Sequence, residues 1–422
     1  MKNQPVIDND SFCYIPWTHQ MVPGNGAVNL CCHSGKSVGS FRTIEQDWNN
    51  EVIRKIRADM VAGRPIAACR GCVAHEKFGN YSPRMRYNTR WPKSITDERV
   101  LKSIENDFHV EEYPVSLDIR FGNLCNLVCK MCEPKNSSQI GKDFVDLQKL
   151  DPVGYAEVIG DSGTSFGYDG DITEEHWNTF ERYMPFIRTL YLAGGEPTLS
   201  KDNIRLLKRC VELGYASSIA ITINTNITNI NTDLLEMLSQ FHFVMIIASI
   251  DGIHQVQEYI RYPSKWETID RNLNRIAAWA AEHVSRNLTI ATTVQVYNIL
   301  SLPQILDHFI GVAKTHGLDR FKFEIIGLIR PDILSIRNTT PLIRAIGRIR
   351  LQNWWDAQDN PEQWFFGQGE GVKSVLEMLQ GESRNDSTKK LLQYSRFVDQ
   401  NKKSKLETAI PDLYRLLIRD AG

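Results

Sequence analysis

Three cysteines, Cys125, Cys129 and Cys132, lie within one eight-residue stretch of the segment GNLCNLVCKMCE. Thiolates are the usual ligands of iron–sulfur clusters, which commonly take four of them. A closed structural zinc site also needs four protein ligands. The CxxxCxxC spacing supplies only three, so it predicts a cluster in which one iron stays open to a substrate or cosubstrate.

The composition narrows the class of protein. The chain has 422 residues, with 49 Lys plus Arg against 50 Asp plus Glu, which gives no electrostatic reason to expect a nucleic acid or an anionic membrane as partner. No apolar run approaches the roughly 20 residues that span a bilayer, and MKNQPVIDND lacks the basic and apolar blocks of a signal peptide. We therefore expect a cytoplasmic protein, in which an odd count of nine cysteines argues against a disulfide framework.

Six strand-like segments follow Pro114 and alternate with helical segments. They are VSLDIRF, TLYLAGG, SIAITINTN, FVMIIASID, LTIATTVQV and FKFEIIGL. Alternation of strands and helices predicts a parallel sheet with helical crossovers. The predicted fold class is α/β, a partial (β/α)6 TIM-like barrel whose chemistry takes place at the C-terminal ends of the strands.

The sequence divides into three predicted regions. These are a small cysteine-rich domain over 1–95, the barrel over 110–330 and a helical C-terminal extension over 331–422. Apolar residues at helical spacing predict one helix over 43–63, and residues 98–113 are interpreted as a connector. An insert over about 135–186 contains a polar, Gly-rich loop and a predicted helix, EEHWNTFERYMPF.

The stretch CNLVCKMC, placed after the first strand, resembles the cluster motif of the radical S-adenosylmethionine (AdoMet) superfamily. The resemblance implies that its three cysteines bind a [4Fe–4S] cluster, that AdoMet chelates the fourth iron, and that Met131 lies near the adenine. The second strand ends in AGGEP, and a GGE motif at this place in the family binds the AdoMet amino group. Gly194, Gly195 and Glu196 match it. Glycine lets the backbone approach a ligand, and a carboxylate complements an ammonium group.

Later strand ends match the family more loosely. The resemblance implies a ribose contact for Asn226, a further AdoMet contact for Ser249, pairing of Arg261 with the AdoMet carboxylate, and a position near the adenine for Val296. A strand-end cap or a turn is the alternative interpretation of each residue.

Five more cysteines, Cys13, Cys31, Cys32, Cys69 and Cys72, precede the barrel. A CxxC pair with distant cysteines is typical of a zinc ribbon or of a second iron–sulfur cluster. The segment resembles the SPASM/twitch accessory domains in its early Cys and Trp, the hairpin GNGAVNLCC, a Trp-bearing helix and the closing CRGC. The resemblance implies an auxiliary iron–sulfur cluster on all of these cysteines except Cys32, with zinc as the alternative. In relatives this domain follows the barrel, so the arrangement here is permuted.

The resemblance implies an enzyme, an oxidoreductase or a related radical-based catalyst. It would cleave AdoMet reductively to methionine and a 5′-deoxyadenosyl radical, which abstracts hydrogen from an unactivated carbon. The expected partners are a peptide substrate and an electron donor such as flavodoxin or ferredoxin. The alternatives are a dehydrogenase or epimerase of sugars or other small molecules, and a non-catalytic iron–sulfur or zinc-binding protein. No spacing identifies a catalytic residue.

Overall fold

The structure is a computed structural model that describes residues 6–22, 27–34, 37–40, 44–77, 82–160, 172–381 and 388–421. The predicted Gly-rich loop falls on 161–171, outside the described residues. Residues 24–26 of the predicted hairpin also lie outside them.

Eleven strands occur in the described part of the chain. They are β1 (His19–Val22), β2 (Ala27–Asn29), β3 (Ser37–Ser40), β4 (Ser116–Ile119), β5 (Val128–Cys129), β6 (Thr189–Leu192), β7 (Ala220–Thr225), β8 (Phe243–Ser249), β9 (Arg261–Tyr262), β10 (Arg286–Val294) and β11 (Lys322–Gly327).

Nine of these strands form one sheet, in the order β11-β10-β8-β7-β6-β4-β1-β2-β3. The six strands predicted after Pro114 are β4, β6, β7, β8, β10 and β11, and neighbours among them pair in parallel. Alternate residues such as Leu190 and Leu192 of β6 are buried in the core, whereas Thr189 and Tyr191 point to the other face of the sheet. The predicted partial barrel is confirmed.

The cysteine-rich region shares this sheet. Strand β1 pairs in parallel with β4, from His19 opposite Ser116 to Val22 opposite Ile119, and β2 and β3 continue antiparallel beyond it. The N-terminal region therefore extends one edge of the barrel sheet, which the sequence did not predict.

Nineteen helices are described. They are α1 (Ile15–Thr18), α2 (Ile44–Asp47), α3 (Glu51–Val61), α4 (Arg70–Lys77), α5 (Pro83–Asn88), α6 (Lys93–Glu105), α7 (Ser138–Leu150), α8 (Pro152–Val158), α9 (Glu174–Tyr183), α10 (Lys201–Glu212), α11 (Thr232–Leu238), α12 (His254–Ile260), α13 (Trp266–Ala281), α14 (Leu302–Thr315), α15 (Pro341–Asp356), α16 (Glu370–Gln380), α17 (Thr388–Asp399), α18 (Leu406–Ala409) and α19 (Pro411–Ala421). Among the described residues, every helix is too short or too polar to cross a membrane.

One prediction about the N-terminal half is wrong. The single helix predicted over 43–63 is broken into α2 and α3, because the side chain of Asn50 accepts a hydrogen bond from the Ile53 amide (2.9 Å) and caps a new helix. Residues 98–113, which were interpreted as a connector, are helical through Glu105, where α6 ends.

The C-terminal extension covers the open edge of the barrel. Phe365 bridges to Phe323 of β11, and α16 packs on the same strand. Covering an edge strand in this way prevents it from pairing with other chains. Helices α17 and α18 instead pack against α8 and α12, beside the C-terminal ends of the barrel strands.

Candidate functional site

A cavity of about 380 Å³ opens at the C-terminal ends of the parallel strands. Most residues that the sequence singled out for this site line it. They are Cys125, Cys129, Cys132, Met131, Gly194, Gly195, Glu196, Asn226, Ser249 and Arg261. Val296 is the exception: it is buried in the core, and its amide donates to the carbonyl oxygen of Leu334 (3.0 Å).

The loop with the three cysteines follows β4 and is anchored at several points. Cys129 belongs to β5 and pairs with Arg261 in β9. The Cys132 amide donates to the Cys129 carbonyl oxygen (3.1 Å). The Ser137 hydroxyl donates to the Leu127 carbonyl oxygen (2.8 Å) and also caps α7. These bonds give the loop a fixed shape with its thiols at one end of the barrel.

The thiols are withdrawn from water. Cys125 is buried, and Cys129 and Cys132 are half-buried. Burial raises the pKa of Cys129 well above its ordinary value and raises the pKa of Cys132 to about 11. Binding as thiolates therefore requires the positive charge of iron. The described residues include no three His, Cys, Asp or Glu side chains grouped around one metal ion. A cluster does not need such a group, because each thiolate binds a different iron.

The two glycines of the GGE motif lie against the cluster loop. Gly194 has a φ of +115°, which is unfavourable for a residue with a side chain. A Cβ at Gly195 would come within 2.2 Å of the Leu124 carbonyl oxygen. The Glu196 amide donates to that same oxygen (2.7 Å). The glycines thus let the end of β6 approach the residues immediately before Cys125.

The Glu196 carboxylate joins β6 to β7. Its Oε1 accepts from the Thr198 hydroxyl (2.8 Å) and the Thr225 hydroxyl (2.6 Å), and its Oε2 accepts from the Asn226 amide (2.6 Å). The side chain is almost fully buried, and burial raises its pKa although these hydrogen bonds oppose the shift. Glu196 is thus a rigid acidic group at the cavity wall.

Arg261 brings a positive charge to the cavity. Its Nε donates to Asp251 (2.7 Å), a fully buried carboxylate that also accepts from the Thr293 amide (2.8 Å). Burial alone would lower the pKa of Arg261, but Asp251 and the nearby Cys129 outweigh it and raise the pKa. The guanidinium is therefore charged and fixed beside the cysteine loop.

Asn226 and Ser249 occupy the remaining wall. The Asn226 side-chain amide donates to Asn126 (3.0 Å), so it braces the cysteine loop. The Ser249 hydroxyl donates to the side-chain oxygen of Asn224 (2.8 Å), which also lines the cavity. Thr225, which also lines the cavity, was not among the predicted contacts, although its place at the end of a strand was a signal that could have found it.

The N-terminal cysteines gather at a second site. Cys13, Cys31 and Cys72 are buried, Cys69 is half-buried and Cys32 is exposed. Burial is the main cause of the raised pKa of Cys13, and proximity to Cys31, Cys69 and Cys72 raises it further. Cys31, Cys69 and Cys72 are therefore neighbours of Cys13, and the choice of four ligands among the five cysteines stays a prediction.

The Cys32 thiol is affected by barrel residues as well as by Cys72. The charges that act on its thiol include Asp118 and Arg120 at the end of β4. Those two residues form an ion pair (3.2 Å) on the inner face of the barrel. Tyr191 lies beside them, and burial together with Asp118 raises its pKa to about 12. A polar, charged group of side chains thus lies near Cys32 on the inner face of the barrel.

A larger groove, of about 960 Å³, adjoins the cofactor cavity. Cys132 and Glu133 line both. The other walls come from α7, α8, α17 and the loop that follows β11, and include the apolar side chains of Phe144, Ile333 and Tyr394. The groove gives a molecule much larger than the cofactor access to the cysteine loop.

Comparison with known proteins gives two family matches. Residues 119–280 match the model of the radical SAM superfamily. Residues 13–73 match that of SPASM, an iron–sulfur cluster-binding domain. No curated protein matches the chain.

Solved structures show distant similarity. Streptococcus suis SuiB bound to S-adenosylmethionine is 15% identical at a TM-score of 0.35, with 64% of this chain and 54% of that chain covered. SuiB bound to the precursor peptide SuiA is 16% identical at 0.35, with 61% and 52% covered. TYW1 with a lysine–pyruvate adduct is 15% identical at 0.27, with 58% and 72% covered. The chain thus spans about half the length of SuiB.

The assignment rests on the two family matches, because these TM-scores are low. The radical SAM match begins at the last residue of β4 and contains the cysteine loop, the GGE motif and Arg261. The SPASM match contains all five N-terminal cysteines. The chain thus contains a radical SAM domain over residues 119–280 and, ahead of it, a SPASM domain over residues 13–73, which imply a [4Fe–4S] cluster, AdoMet and an auxiliary iron–sulfur cluster as its cofactors.

Proposed function

We propose that this protein uses AdoMet to abstract a hydrogen atom from a carbon of its substrate. The observation that carries the proposal is the meeting of the cysteine loop, the GGE motif and Arg261 on one cavity of about 380 Å³, a size suited to a small cofactor. When bound, the cluster supplies one electron to AdoMet, and AdoMet supplies the radical that abstracts hydrogen.

Cys125, Cys129 and Cys132 are the proposed ligands of the cluster. Their loop is held by the β5–β9 pairing and by the Ser137 hydroxyl. Three thiolates for four irons leave one iron for the amino and carboxyl groups of AdoMet.

Glu196 and Arg261 are proposed to orient the methionine end of AdoMet. Within the described residues, Glu196 Oε2 accepts one hydrogen bond, from the Asn226 amide, so it has capacity left for an ammonium group. Arg261 bonds to Asp251 through Nε, which leaves its terminal nitrogens for the AdoMet carboxylate. A negative and a positive side chain on the same cavity can pair with the ammonium and the carboxylate of one zwitterion.

Ser249, Asn226 and Met131 are the proposed contacts of the nucleoside end. Ser249 and its partner Asn224 offer a hydroxyl and an amide to the ribose hydroxyls. Met131 offers an apolar, adaptable side chain to the adenine.

Cys13, Cys31, Cys69 and Cys72 are the proposed ligands of the auxiliary cluster. Their burial and proximity support four protein ligands and a closed site, which suits electron transfer or a structural role. We also propose that the chain has three regions: the cysteine-rich domain over 1–95, the barrel over 110–330 and the helical C-terminal extension over 331–422.

A peptide is the proposed substrate, and the groove of about 960 Å³ beside Cys132 supports it. This volume is at the upper end of the range for small-molecule sites, about 300–1,000 Å³, and the groove leads to the cofactor cavity. A flavodoxin or a ferredoxin is the proposed electron donor.

The test is anaerobic reconstitution, with iron counted and 5′-deoxyadenosine assayed in the presence of dithionite. The matched variant has Cys125, Cys129 and Cys132 all changed to Ala. We expect about eight irons in the wild type and about four in the variant, as for two four-iron clusters, with deoxyadenosine from the wild type alone.

Other results would redirect the assignment. A wild type with about four irons, no AdoMet binding and no deoxyadenosine would support a non-catalytic iron–sulfur protein. Zinc recovered in place of the second set of irons would make the N-terminal site structural. Deoxyadenosine formation that rises with a sugar and not with peptides would overturn the substrate proposal.

A further inference from the structure

The cysteine loop is attached to a part of the chain that neither family match covers. Lys130 lies between two of the proposed cluster ligands, and its ammonium group forms an ion pair with Asp399 at the end of α17. We propose that Asp399 is a positioning residue that fixes the cysteine loop through Lys130. The inference rests on the proposed cluster ligation by Cys125, Cys129 and Cys132.

The ion pair is buried on both sides. The side chains of Lys130 and Asp399 are only 3% and 4% exposed, so either charge alone would lack both water and its ion-pair partner. Asp399 Oδ2 also accepts from the Tyr259 hydroxyl (3.2 Å) and the Leu406 amide (3.1 Å). The Lys130 ammonium group lies 4.5 Å from the centre of the Tyr259 ring. Asp399 therefore has a fixed position, and it fixes Lys130 in turn.

The backbone of Lys130 forms hydrogen bonds both to the barrel and to α17. Its amide donates to the Ile260 carbonyl oxygen (2.9 Å), next to the β5–β9 pairing that contains Cys129. Its carbonyl oxygen accepts a hydrogen bond from the Tyr394 hydroxyl (3.0 Å). Tyr394 and Asp399 both belong to α17. The residue that follows Cys129 thus has its amide bound to the barrel and its carbonyl and side chain bound to α17.

These bonds indicate that α17 helps to position the cysteine loop. The thiols of Cys129 and Cys132 are positioned by the backbone between them, and Lys130 is the residue of that backbone with the most buried side chain. Without the Asp399 charge, the Lys130 ammonium group would be buried and unpaired. It would then be more stable in contact with water, and the loop would have to move away from α17 to expose it. The expected consequence is a cluster that loses iron more readily and binds AdoMet less tightly.

The chain contains a matched control. Lys402 pairs with Asp143 of α7 (2.9 Å), and those side chains are 3% and 11% exposed. This pair also joins the C-terminal segment to the barrel region and is also buried; its charges act on Lys130 through space, but among the described residues it forms no hydrogen bond or ion pair with the cysteine loop. Asp143→Asn therefore reports the general cost of loosening the segment.

The test uses the full chain, reconstituted anaerobically, with Asp399→Asn compared to Asp143→Asn. Two quantities are measured: the rate at which a chelator removes iron, and the affinity for AdoMet from the change it causes in the spectrum of the reduced cluster. We expect at least tenfold faster iron loss and at least tenfold weaker AdoMet binding for Asp399→Asn, and values within twofold of wild type for Asp143→Asn.

A combined variant tests whether the pair acts as a unit. Lys130→Met with Asp399→Leu leaves no buried charge unpaired, so it should retain iron better than Asp399→Asn. If Asp399→Asn does not fold, Tyr394→Phe removes one hydrogen bond to the Lys130 carbonyl and should show a smaller change in the same direction.

The outcomes are distinguishable. A wild type without an AdoMet-responsive cluster refutes the proposed function. A wild type with that cluster, and an Asp399→Asn variant equal to it in both measurements, refutes the positioning role alone. Equal damage from Asp143→Asn also refutes it, since the effect would then be general loosening of the C-terminal segment.

Discussion

Gly195→Ala tests directly why glycines precede Glu196. The new Cβ would lie 2.2 Å from the Leu124 carbonyl oxygen. Because non-bonded heavy atoms prefer separations near about 3.5 Å, the two loops have to move apart by about 1 Å. That movement breaks the hydrogen bond from the Glu196 amide to Leu124 (2.7 Å) and displaces the residue before Cys125.

The expected change in the free energy of unfolding has two parts, overpacking and the lost hydrogen bond. Overpacking costs about 1–3 kcal/mol and a lost backbone hydrogen bond about 1 kcal/mol. We therefore expect the free energy of unfolding of the apo chain to fall by about 2–4 kcal/mol, measured by urea denaturation. Iron content after reconstitution should fall as well. Gly311→Ala in α14 is the control, because nothing lies within 4 Å of its new Cβ and alanine favours a helix by about 1 kcal/mol.

One result would refute this reasoning. If Gly195 serves only the approach of AdoMet, then Gly195→Ala leaves the apo stability and the iron content at wild-type values. AdoMet affinity alone would then fall. That pattern would show that the contact with Leu124 relaxes at little cost.

Three further predictions concern other residues. Glu196→Gln keeps the size of the side chain but removes its charge, so AdoMet affinity measured by titration should fall about tenfold, or about 1.4 kcal/mol, at unchanged iron content; lost iron would show a role in the loop itself. Cys31→Ala should lose the auxiliary cluster whereas Cys32→Ala keeps it, and an iron count showing the reverse would exchange their roles. Burial, with Arg90 nearby, lowers the pKa of His19 to about 3. The unfolded imidazole therefore binds a proton below about pH 6.5 while the folded one stays neutral, and stability falls as the pH falls. Between pH 7 and 4.5 the free energy of unfolding should fall by about 2–3 kcal/mol because of His19. In urea unfolding, His19→Gln should lack that part of the pH dependence; a variant with the same pH dependence as the wild type would contradict this prediction.

Much of the barrel could be predicted from the sequence because its signals are local. Each parallel strand is a short apolar segment with turn residues at its ends, and parallel strands place those ends at one edge of the sheet. The cysteine loop, Gly194 and Glu196 all follow strands that were predicted, so their meeting could be expected.

Contacts between distant parts of the chain could not be predicted in this way. The four residues of β1, HQMV, have no pattern that distinguishes a barrel-edge strand from a loop, and their pairing with β4 joins segments nearly 100 residues apart. Lys130 and Asp399 are 269 residues apart, and nothing in the sequence around Asp399 indicates a partner in the cysteine loop. The break between α2 and α3 did have a local signal, because Asn50 is a residue that commonly caps helices. The apolar periodicity continues across Asn50, so it predicted one helix instead of two.

The pairing of β1 with β4 bears on the permuted order of the two domains. Because the strands are parallel and in register, with Val22 opposite Ile119, the chain leaves both at the same end of the sheet. Past Ile119 the chain enters the cysteine loop of the barrel, whereas β2 runs antiparallel to β1, with Asn29 opposite Met21, before the chain reaches Cys31 and Cys32. The region of the SPASM match therefore continues the barrel sheet through β1 and β2, and the charges of Asp118 and Arg120, at the end of β4, act on the Cys32 thiol.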